Sequence, residues 1–286
     1  MKENLLFVDI NWSFKEVKLF ELFWRSLVLT AREKPPSFDL MIITNYRFKE
    51  EILKIMRSNQ IDLEVIFVMV PQDYSYERAS LRHLDLFQYE QATQYKRALH
   101  VRPETLVMRT LDKLFEKKTD PNMIYSYCED NPYDHNAPWY GLQNYSQEDL
   151  VFFRTNYIKV WTSSIYMMVP NKQMKHHFSK VKELADMYIN KGVYNDTCYM
   201  NFYFNMQKMS DTMLLKKLLE SRNIKTNVEG KPTVFDTSID IKVVLINFCG
   251  LSYFEEKQLR MKRYLKFLED MRPCIKNHKS RKASKD

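Results

Sequence analysis

Glycine is scarce in this sequence, and its scarcity argues against two common kinds of nucleotide-binding protein. The 286 residues include only four glycines, and neither Gly-x-Gly-x-x-Gly nor Gly-x-x-x-x-Gly-Lys-Ser/Thr occurs. Both motifs need glycine because the backbone must approach a phosphate group closely. Dinucleotide-dependent dehydrogenases and P-loop kinases are therefore disfavoured.

Cysteine is also scarce, and long apolar runs are absent. The four cysteines are far apart and none lies in a Cys-x-x-Cys pair, so the sequence predicts neither a disulfide framework nor a zinc site.

No apolar run approaches the roughly 20 residues that cross a bilayer. The N-terminal stretch becomes polar at Asp9, which is too early for a signal peptide. We therefore expect a cytoplasmic protein without a transmembrane segment.

The positive charge is unevenly distributed. The chain has 44 Lys and Arg against 36 Asp and Glu, a net charge of +8, and residues 276–286 contain five basic residues and one acidic residue. This tail supplies half of the excess charge, and the rest of the chain shows no basic stripe of the kind that binds a phosphate backbone. Nucleic-acid binding is therefore not expected.

Apolar runs alternate with helical patterns along most of the chain. Residues 5–10, 39–45 and 63–70 are predicted strands, and helical segments separate them. Ser13 and Glu16 have the spacing of a capping box at the start of the first helix. Further strands are predicted at 97–101, 123–127, 165–169 and 242–248. This alternation is typical of an α/β fold with a largely parallel sheet.

We divide the chain into three parts. Residues 1–250 form one α/β domain, and residues 251–275 form a helix packed on it that ends at Pro273. The basic tail at 276–286 is predicted to be disordered, because its composition is polar and charged.

The segment Tyr95 to Glu116, YKRALHVRPETLVMRTLDKLFE, resembles a characteristic segment of glycogenin-like retaining glycosyltransferases. In that family a tyrosine and a basic residue lead a strand into Asp-x-Asp-Thr-Leu-Val, and the two aspartates hold a divalent cation, usually manganese. Arg102 and Glu104 occupy the two aspartate positions here. A carboxylate at Glu104 suits a hard cation, whereas a guanidinium at Arg102 does not.

Three later segments match the same family in the same order. WTSSIYMMVP, at 161–170, is similar to its Asn-Ser-Gly strand and places Ser163 at the central position. NDTCYMNFYF, at 195–204, is similar to its Gly-Asp-Gln-x-x-Leu-Asn segment, with Asp196 on the aspartate and Thr197 on the glutamine. KVVLINFCG, at 242–250, is similar to its His-Phe-x-Gly segment, with Asn247 on the histidine that binds metal.

The resemblance implies a GT-A fold, a Rossmann-like mixed and mostly parallel sheet flanked by helices. It also implies a nucleotide-sugar donor, expected to be a UDP-sugar, and a glycan, protein or small-molecule acceptor. The base and ribose then lie near Asp9 and Asn11, and the diphosphate lies near Arg102 and Glu104.

The resemblance assigns further roles at the reacting sugar. Ser163 and Thr197 are expected to help bind the donor. Asp196 is expected to be the catalytic carboxylate, because it can stabilise positive charge on the sugar as the leaving group departs. The alternative for Asp196 is that it caps the helix that follows.

Manganese dependence is in doubt because both changes, at Arg102 and Asn247, affect metal ligands. Glu104 and Asn247 are the positions left to hold a cation. Arg102 can instead replace the cation as a catalytic group, because a guanidinium pairs with diphosphate oxygens. The alternatives are a decayed site, or a shifted alignment with Arg102 at a solvated strand end. For Asn247 the alternative is a turn residue at a strand end.

Two other functions remain open. A catalytically inactive relative can bind a ligand or partner through the same cleft, and a nucleotidyltransferase also uses carboxylates beside a nucleotide. A shared cleft for Glu104 and Asp196 favours an enzyme, whereas a side chain that fills the cleft favours a binding protein.

Overall fold

The computed structural model describes residues 1–73, 75–128, 146–156, 159–188, 196–222 and 242–248, and a helix at 254–283 whose side chains are described as far as residue 270. Parts of two predicted motifs, including Asn195 and residues 249–250, lie outside this range. No helix in the described part of the chain is long and apolar enough to cross a membrane.

The described residues include ten strands, which form two sheets. The strands are β1 (Asn4–Ile10), β2 (Phe38–Thr44), β3 (Val65–Met69), β4 (Arg97–Val101), β5 (Thr105–Val107), β6 (Ile124–Tyr125), β7 (Ile165–Met168), β8 (Ser210–Asp211), β9 (Leu219–Ser221) and β10 (Leu245–Asn247). The larger sheet has the order β3-β2-β1-β4-β7-β6-β8, and the smaller has the order β5-β10-β9.

In the same described part of the chain, eight α-helices connect or cover these strands. They are α1 (Phe14–Ala31), α2 (Tyr46–Ser58), α3 (Tyr76–Ser80), α4 (Asp112–Phe115), α5 (Gln147–Thr155), α6 (Lys172–Tyr188), α7 (Asp196–Met206) and α8 (Phe254–Ala283). Two 3-10 helices, Arg82–Gln88 and Glu90–Gln94, lie between α3 and β4.

The predicted α/β fold with a mostly parallel sheet is confirmed. β1 pairs in parallel with both β2 and β4, and β2 pairs in parallel with β3. β7 is antiparallel to β4 and to β6. Because β1 and β4 are parallel neighbours, their carboxyl ends lie side by side at one edge of the sheet.

Side-chain alternation along β1 serves two separate cores. Leu6 and Val8 pack with residues of α1 and α2 on one face, and Leu5 and Phe7 pack with residues of α6 and the first 3-10 helix on the other. Both faces of this strand are therefore buried, which explains why its sequence is a continuous apolar run.

A third core attaches α8 to the domain. Met261 and Leu265 of α8 pack against Leu22 of α1, Leu106 of β5 and Phe248. The smaller sheet thus joins the segment after β4 to the last helix. This arrangement brings α8 close to the carboxyl edge of the larger sheet.

The start of α1 differs from the predicted capping box. Ser13 is at the N-cap position, but its side chain makes no capping hydrogen bond. The Glu16 carboxylate instead accepts hydrogen bonds from the backbone amides of Asn11, at 3.1 Å, and Trp12, at 2.9 Å. Glu16 therefore stabilises the turn between β1 and α1 and not the cap residue itself.

The predicted end of the last helix at Pro273 is wrong. α8 continues through Pro273 to Ala283, so most of the tail that we expected to be disordered belongs to this helix. A proline removes one intrahelical hydrogen bond and commonly kinks a helix without ending it.

Candidate active site

The candidate site lies where β1 and β4 end side by side. Asp9 is the penultimate residue of β1, and Asn11 directly follows that strand. Arg102 follows the last residue of β4, and Glu104 lies between β4 and β5. Ligands of open α/β sheets bind at this edge, beyond the carboxyl ends of the strands.

A buried ion pair joins Arg102 to Asp196. The Arg102 Nη2 atom lies 2.7 Å from Asp196 Oδ1, and the two side chains are only 7% and 1% exposed. Ser80 ties the pair to α3: its carbonyl accepts from Arg102 Nη2 at 3.4 Å, and its hydroxyl accepts from the Asp196 backbone amide at 3.2 Å. Both charges are therefore held in place by the fold.

The pair also fixes the protonation of its members. Burial by itself disfavours both charges, but the Asp196 carboxylate raises the pKa of Arg102 well above its ordinary value. In the same way, the Arg102 charge outweighs burial and holds the pKa of Asp196 well below its usual range. Asp196 is therefore a carboxylate at every physiological pH.

Two stacked histidines lie next to this ion pair, on the side of Asp196. The rings of His83 and His100 are 4.7 Å apart at an angle of 28°, and both are completely buried. His83 Nδ1 is 2.6 Å from the Tyr166 hydroxyl. His83 Nε2 is 3.1 Å from Asp196 Oδ2, although this contact lacks the geometry of a hydrogen bond.

His100 continues the network to β1. Its Nε2 lies 2.8 Å from Asp9 Oδ1, and its Nδ1 lies 3.0 Å from the Ser163 carbonyl. Burial lowers the pKa of His100 to about 4, so the ring is neutral at pH 7. Burial would raise the pKa of Asp9, but the hydrogen bond from His100 and the Arg102 charge lower it.

We call Asp9, His83, His100, Arg102 and Asp196 the carboxyl-edge cluster. Its members come from β1, the first 3-10 helix, the end of β4 and the start of α7, and each is nine-tenths or more buried. The cluster links the predicted base-binding side of the site to the predicted sugar-binding side.

Four further polar residues surround the cluster. Lys257 of α8 brings its ammonium nitrogen within 3.4 Å of Glu104 Oε1. The Thr197 hydroxyl is hydrogen-bonded to the Ser163 hydroxyl at 2.5 Å. Lys257 was not predicted from the sequence, because only the packing of α8 brings it to this edge.

Residues near the β1–α1 turn complete the surroundings. Trp12 is 41% exposed, and its ring meets the Tyr76 ring edge-on at 5.0 Å. Burial raises the pKa of Glu16 to about 7, and the Asp9 charge adds to this effect. Burial also raises the pKa of Tyr76. The Asn11 Oδ1 atom is buried and has no hydrogen-bond partner among the described residues, so it is available to a ligand.

Several sequence-based alternatives are now decided. Arg102 is not a solvated strand-end residue, since it is buried against Asp196. Asp196 is the first residue of α7, and its carboxylate pairs with Arg102, which a simple cap does not do. The charges of both Asp196 and Glu104 contribute to the raised pKa of Arg102.

The predicted residues differ in accessibility. Asp9 and Asp196 are buried beneath the edge, and their direct contacts with a donor stay predictions. Asn247 is the last residue of β10, and its side-chain amide donates to the Thr105 hydroxyl at 3.0 Å. Asn247 is thus part of a strand in the smaller sheet and not of a turn.

The described side chains do not fit a manganese site. Lys257 lies against the Glu104 carboxylate, and the Asn247 amide group donates to Thr105. The part of the chain that the structure describes contains no group of three His, Cys, Asp or Glu side chains arranged to hold a metal ion. Arg102 and Lys257 are the positive charges beside these carboxylates.

The hydrogen-bond network around His100 could be predicted from the sequence only in part. A histidine in the apolar strand RALHV was the only indication of a buried polar group in β4. Its partner Asp9 lies 91 residues away in the sequence, so no local pattern links the two. Tyr166 and Tyr76 were missed for the same reason.

The fold is of the GT-A type, as the resemblance implied. The chain is similar to the galactosyltransferase LgtC solved with donor and acceptor sugar analogues, with a TM-score of 0.59 and 11% identity over 93% of this chain and 95% of LgtC. The fold is therefore shown, although the particular resemblance to glycogenin-like enzymes is not tested by this likeness.

Two further solved structures share the fold. The bifunctional glycosyltransferase WbbM gives a TM-score of 0.57 at 11% identity over 92% of this chain, which spans only 52% of WbbM. The glycosyltransferase GlyE of Streptococcus pneumoniae TIGR4, in its apo form, gives 0.51 at 10% identity over 94% of this chain and 63% of GlyE. No family model and no curated protein matches the sequence.

Proposed function

We propose that the protein is a glycosyltransferase that takes a sugar from a nucleotide-sugar, expected to be a UDP-sugar, and transfers it to a glycan, protein or small-molecule acceptor in a reducing, cytoplasmic environment. The observation that carries the proposal is the buried Arg102–Asp196 ion pair at the carboxyl edge of β1 and β4, with the Glu104 and Lys257 pair on the segment that follows β4. This edge is where α/β sheets bind nucleotides.

Arg102 is suited to the diphosphate of the donor. Its Nη2 atom contacts Asp196 and the Ser80 carbonyl, while its Nε and Nη1 atoms have no hydrogen-bond partner among the described residues. A guanidinium that presents two N–H groups binds phosphate oxygens in a fixed geometry. Lys257 adds a second positive charge near Glu104.

In the proposed reaction the bond between the anomeric carbon and the diphosphate oxygen breaks. The diphosphate keeps the electron pair, the acceptor oxygen bonds to the anomeric carbon, and the acceptor proton is released. Arg102 and Lys257 stabilise the negative charge on the leaving diphosphate. Asp196, which remains ionised, stabilises positive charge on the sugar from beneath the edge.

Recognition of the rest of the donor uses the residues around the cluster. The exposed ring of Trp12 offers a stacking surface for the base, and Asn11 offers a carbonyl oxygen without a partner. Thr197, whose hydroxyl is bonded to Ser163, is placed to hydrogen-bond the sugar. No step of this mechanism is assigned to a metal ion.

A panel of nucleotide-sugars tests the proposal. We expect at least one UDP-sugar to raise the melting temperature in the presence of a chelator, because a ligand of the native state stabilises it by mass action. The same donor should release its sugar to water or to an acceptor, which chromatography of the nucleotide product measures. Trp12→Ala should weaken donor binding, whereas Tyr46→Ala, which removes a more exposed aromatic ring from α2, should not.

The possible results separate the three functions. Stabilisation and turnover in chelator support the proposal. Binding without turnover supports a catalytically inactive GT-A protein, and release of pyrophosphate from a nucleoside triphosphate supports a nucleotidyltransferase. Turnover that is lost on chelation contradicts the roles given to Arg102 and Lys257, and absence of binding by every donor rejects the proposal.

A further inference from the structure

A second concave region lies far from the candidate active site and is lined mainly by lysines. It is a cavity of about 360 Å³ beside α4 and the segments that precede β9 and β10. We call it the lysine cavity, after Lys113, Lys117, Lys216, Lys217 and Lys242. Its volume is in the range of small-molecule sites, which begins at about 300 Å³.

Among the described residues, most of the positive charge of the lysine cavity has no ion-pair partner. Four of its lysines form no ion pair with any described residue: Lys113, Lys117, Lys216 and Lys217. Two acidic residues of neighbouring elements are paired elsewhere, since Asp112 contacts Lys34 at 2.8 Å and Glu220 contacts Arg222. Several ammonium groups around one concavity repel each other, and a bound anion removes that repulsion.

The cavity also has an apolar component. Leu218 is buried and packs in the core below, Leu214 packs against the same core, and Met213 is 62% exposed at the rim. An apolar floor lowers the local dielectric constant, which strengthens attraction between the ammonium groups and an anion. The site therefore suits a ligand with concentrated negative charge.

This region is separate from the proposed donor site. The Lys117 carbonyl accepts a hydrogen bond from Arg97, the first residue of β4, at 3.0 Å. Arg102 follows the last residue of the same strand. Five residues of extended strand span about 16 Å, so the lysine cavity and Arg102 lie at opposite ends of β4.

We propose that the lysine cavity binds a multiply charged anion that carries phosphate groups. The source is either a soluble phosphorylated molecule or a phospholipid headgroup, since both present the same chemistry to the lysines. The inference depends on the cavity and its charge alone, and it does not require the proposed transferase activity.

Binding of inorganic tripolyphosphate, measured by calorimetry at low and high salt, tests the soluble source. Co-sedimentation with phosphatidylcholine vesicles, with and without phosphatidic acid, tests the lipid source. We expect at least one of the two probes to bind, and binding to weaken as salt is added. Lys216→Gln with Lys217→Gln should weaken it by about tenfold or more, because two ammonium groups beside the anion are removed.

Two control variants locate the effect. Lys172→Gln with Lys175→Gln removes the same charge from exposed positions on α6 and should leave binding unchanged. Trp12→Ala, which alters the proposed donor site at an exposed residue, should also leave it unchanged. Tripolyphosphate binding alone identifies a soluble ligand, and vesicle binding alone identifies a headgroup. The proposal is overturned if neither probe binds, if the Lys216 and Lys217 variant binds normally, or if either control loses as much affinity.

Discussion

The carboxyl-edge cluster and the lysine cavity lie at opposite ends of β4 and differ in how their charges are arranged. In the cluster, Arg102 and Asp196 are buried and 2.7 Å apart. In the cavity, Lys216 and Lys217 are exposed and form no ion pair with a described residue. A buried charge without a partner costs several kcal/mol, whereas an exposed charge remains solvated. The first arrangement therefore fixes structure, and the second leaves charge available to a ligand.

The largest effect should come from breaking the buried pair. Arg102→Met leaves the Asp196 carboxylate buried without its partner, so the free energy of unfolding should fall by about 3 to 5 kcal/mol. Adding Asp196→Asn should restore part of the loss, because the unpaired charge is then removed. Urea denaturation measures both changes.

A surface pair provides the control for this comparison. Arg25 and Glu269 are 2.9 Å apart, and their side chains are 42% and 39% exposed. Arg25→Met should therefore cost no more than about 1 kcal/mol. Equal losses for Arg25→Met and Arg102→Met would show that burial does not strengthen the dependence on a partner, and the contrast between the two regions would fail.

An intermediate effect on stability is expected from pH. The pKa of Glu16, beside the cluster, is raised, whereas the pKa of His100, in the cluster, is lowered. The pKa of Glu16 is raised to about 7, so its folded form binds more protons than its unfolded form, and stability falls as pH rises from about 4.5 to 7. The pKa of His100 is lowered to about 4, so stability falls as pH drops from about 6.5 to 4.

Single variants should separate these two opposing contributions. Glu16→Gln keeps an acceptor for the turn amides and should leave a protein that loses stability on acidification. His100→Asn should leave a protein that gains stability on acidification from pH 7 to 5, after an overall loss of about 1 to 3 kcal/mol for the broken hydrogen bonds. Melting temperatures across this range measure the slopes, and parallel slopes for the two variants would contradict the assignment.

The smallest effect should come from the lysine cavity. Lys216→Gln with Lys217→Gln should raise the free energy of unfolding by a few tenths of a kcal/mol at low salt, because like-charge repulsion is reduced. The gain should vanish at high salt. Lys172→Gln with Lys175→Gln provides the matched control, and a stability loss in the Lys216 and Lys217 variant would mean that these lysines support local structure.

The sequence predicted the larger sheet well, because its central strands are long and buried on both faces. Residues 5–10 form a continuous apolar run for this reason, and β1 has nearly the same bounds. The smaller sheet was mostly missed. β5 and β9 have three residues each, too few for a periodic pattern, and they become strands only by pairing with β10.

The site was predicted in part. Arg102 and Asp196 were found through a family resemblance, and the structure places them in contact. The resemblance could not show that they pair, because it compares positions one at a time. The stacking of His83 on His100 depends on packing between β4 and a 3-10 helix, which no local sequence pattern indicates.

The pairing of β5 with β10 and the packing of α8 also bear on the order in which the protein is made. The strands β1 to β4 and the helices between them lie within the first 101 residues and can pair while the chain is still being synthesised. Glu104, in contrast, cannot meet Lys257 until α8 has emerged, 153 residues later. A nascent chain can therefore hold a formed sheet and still lack a finished site, so activity should appear only after the last helix docks.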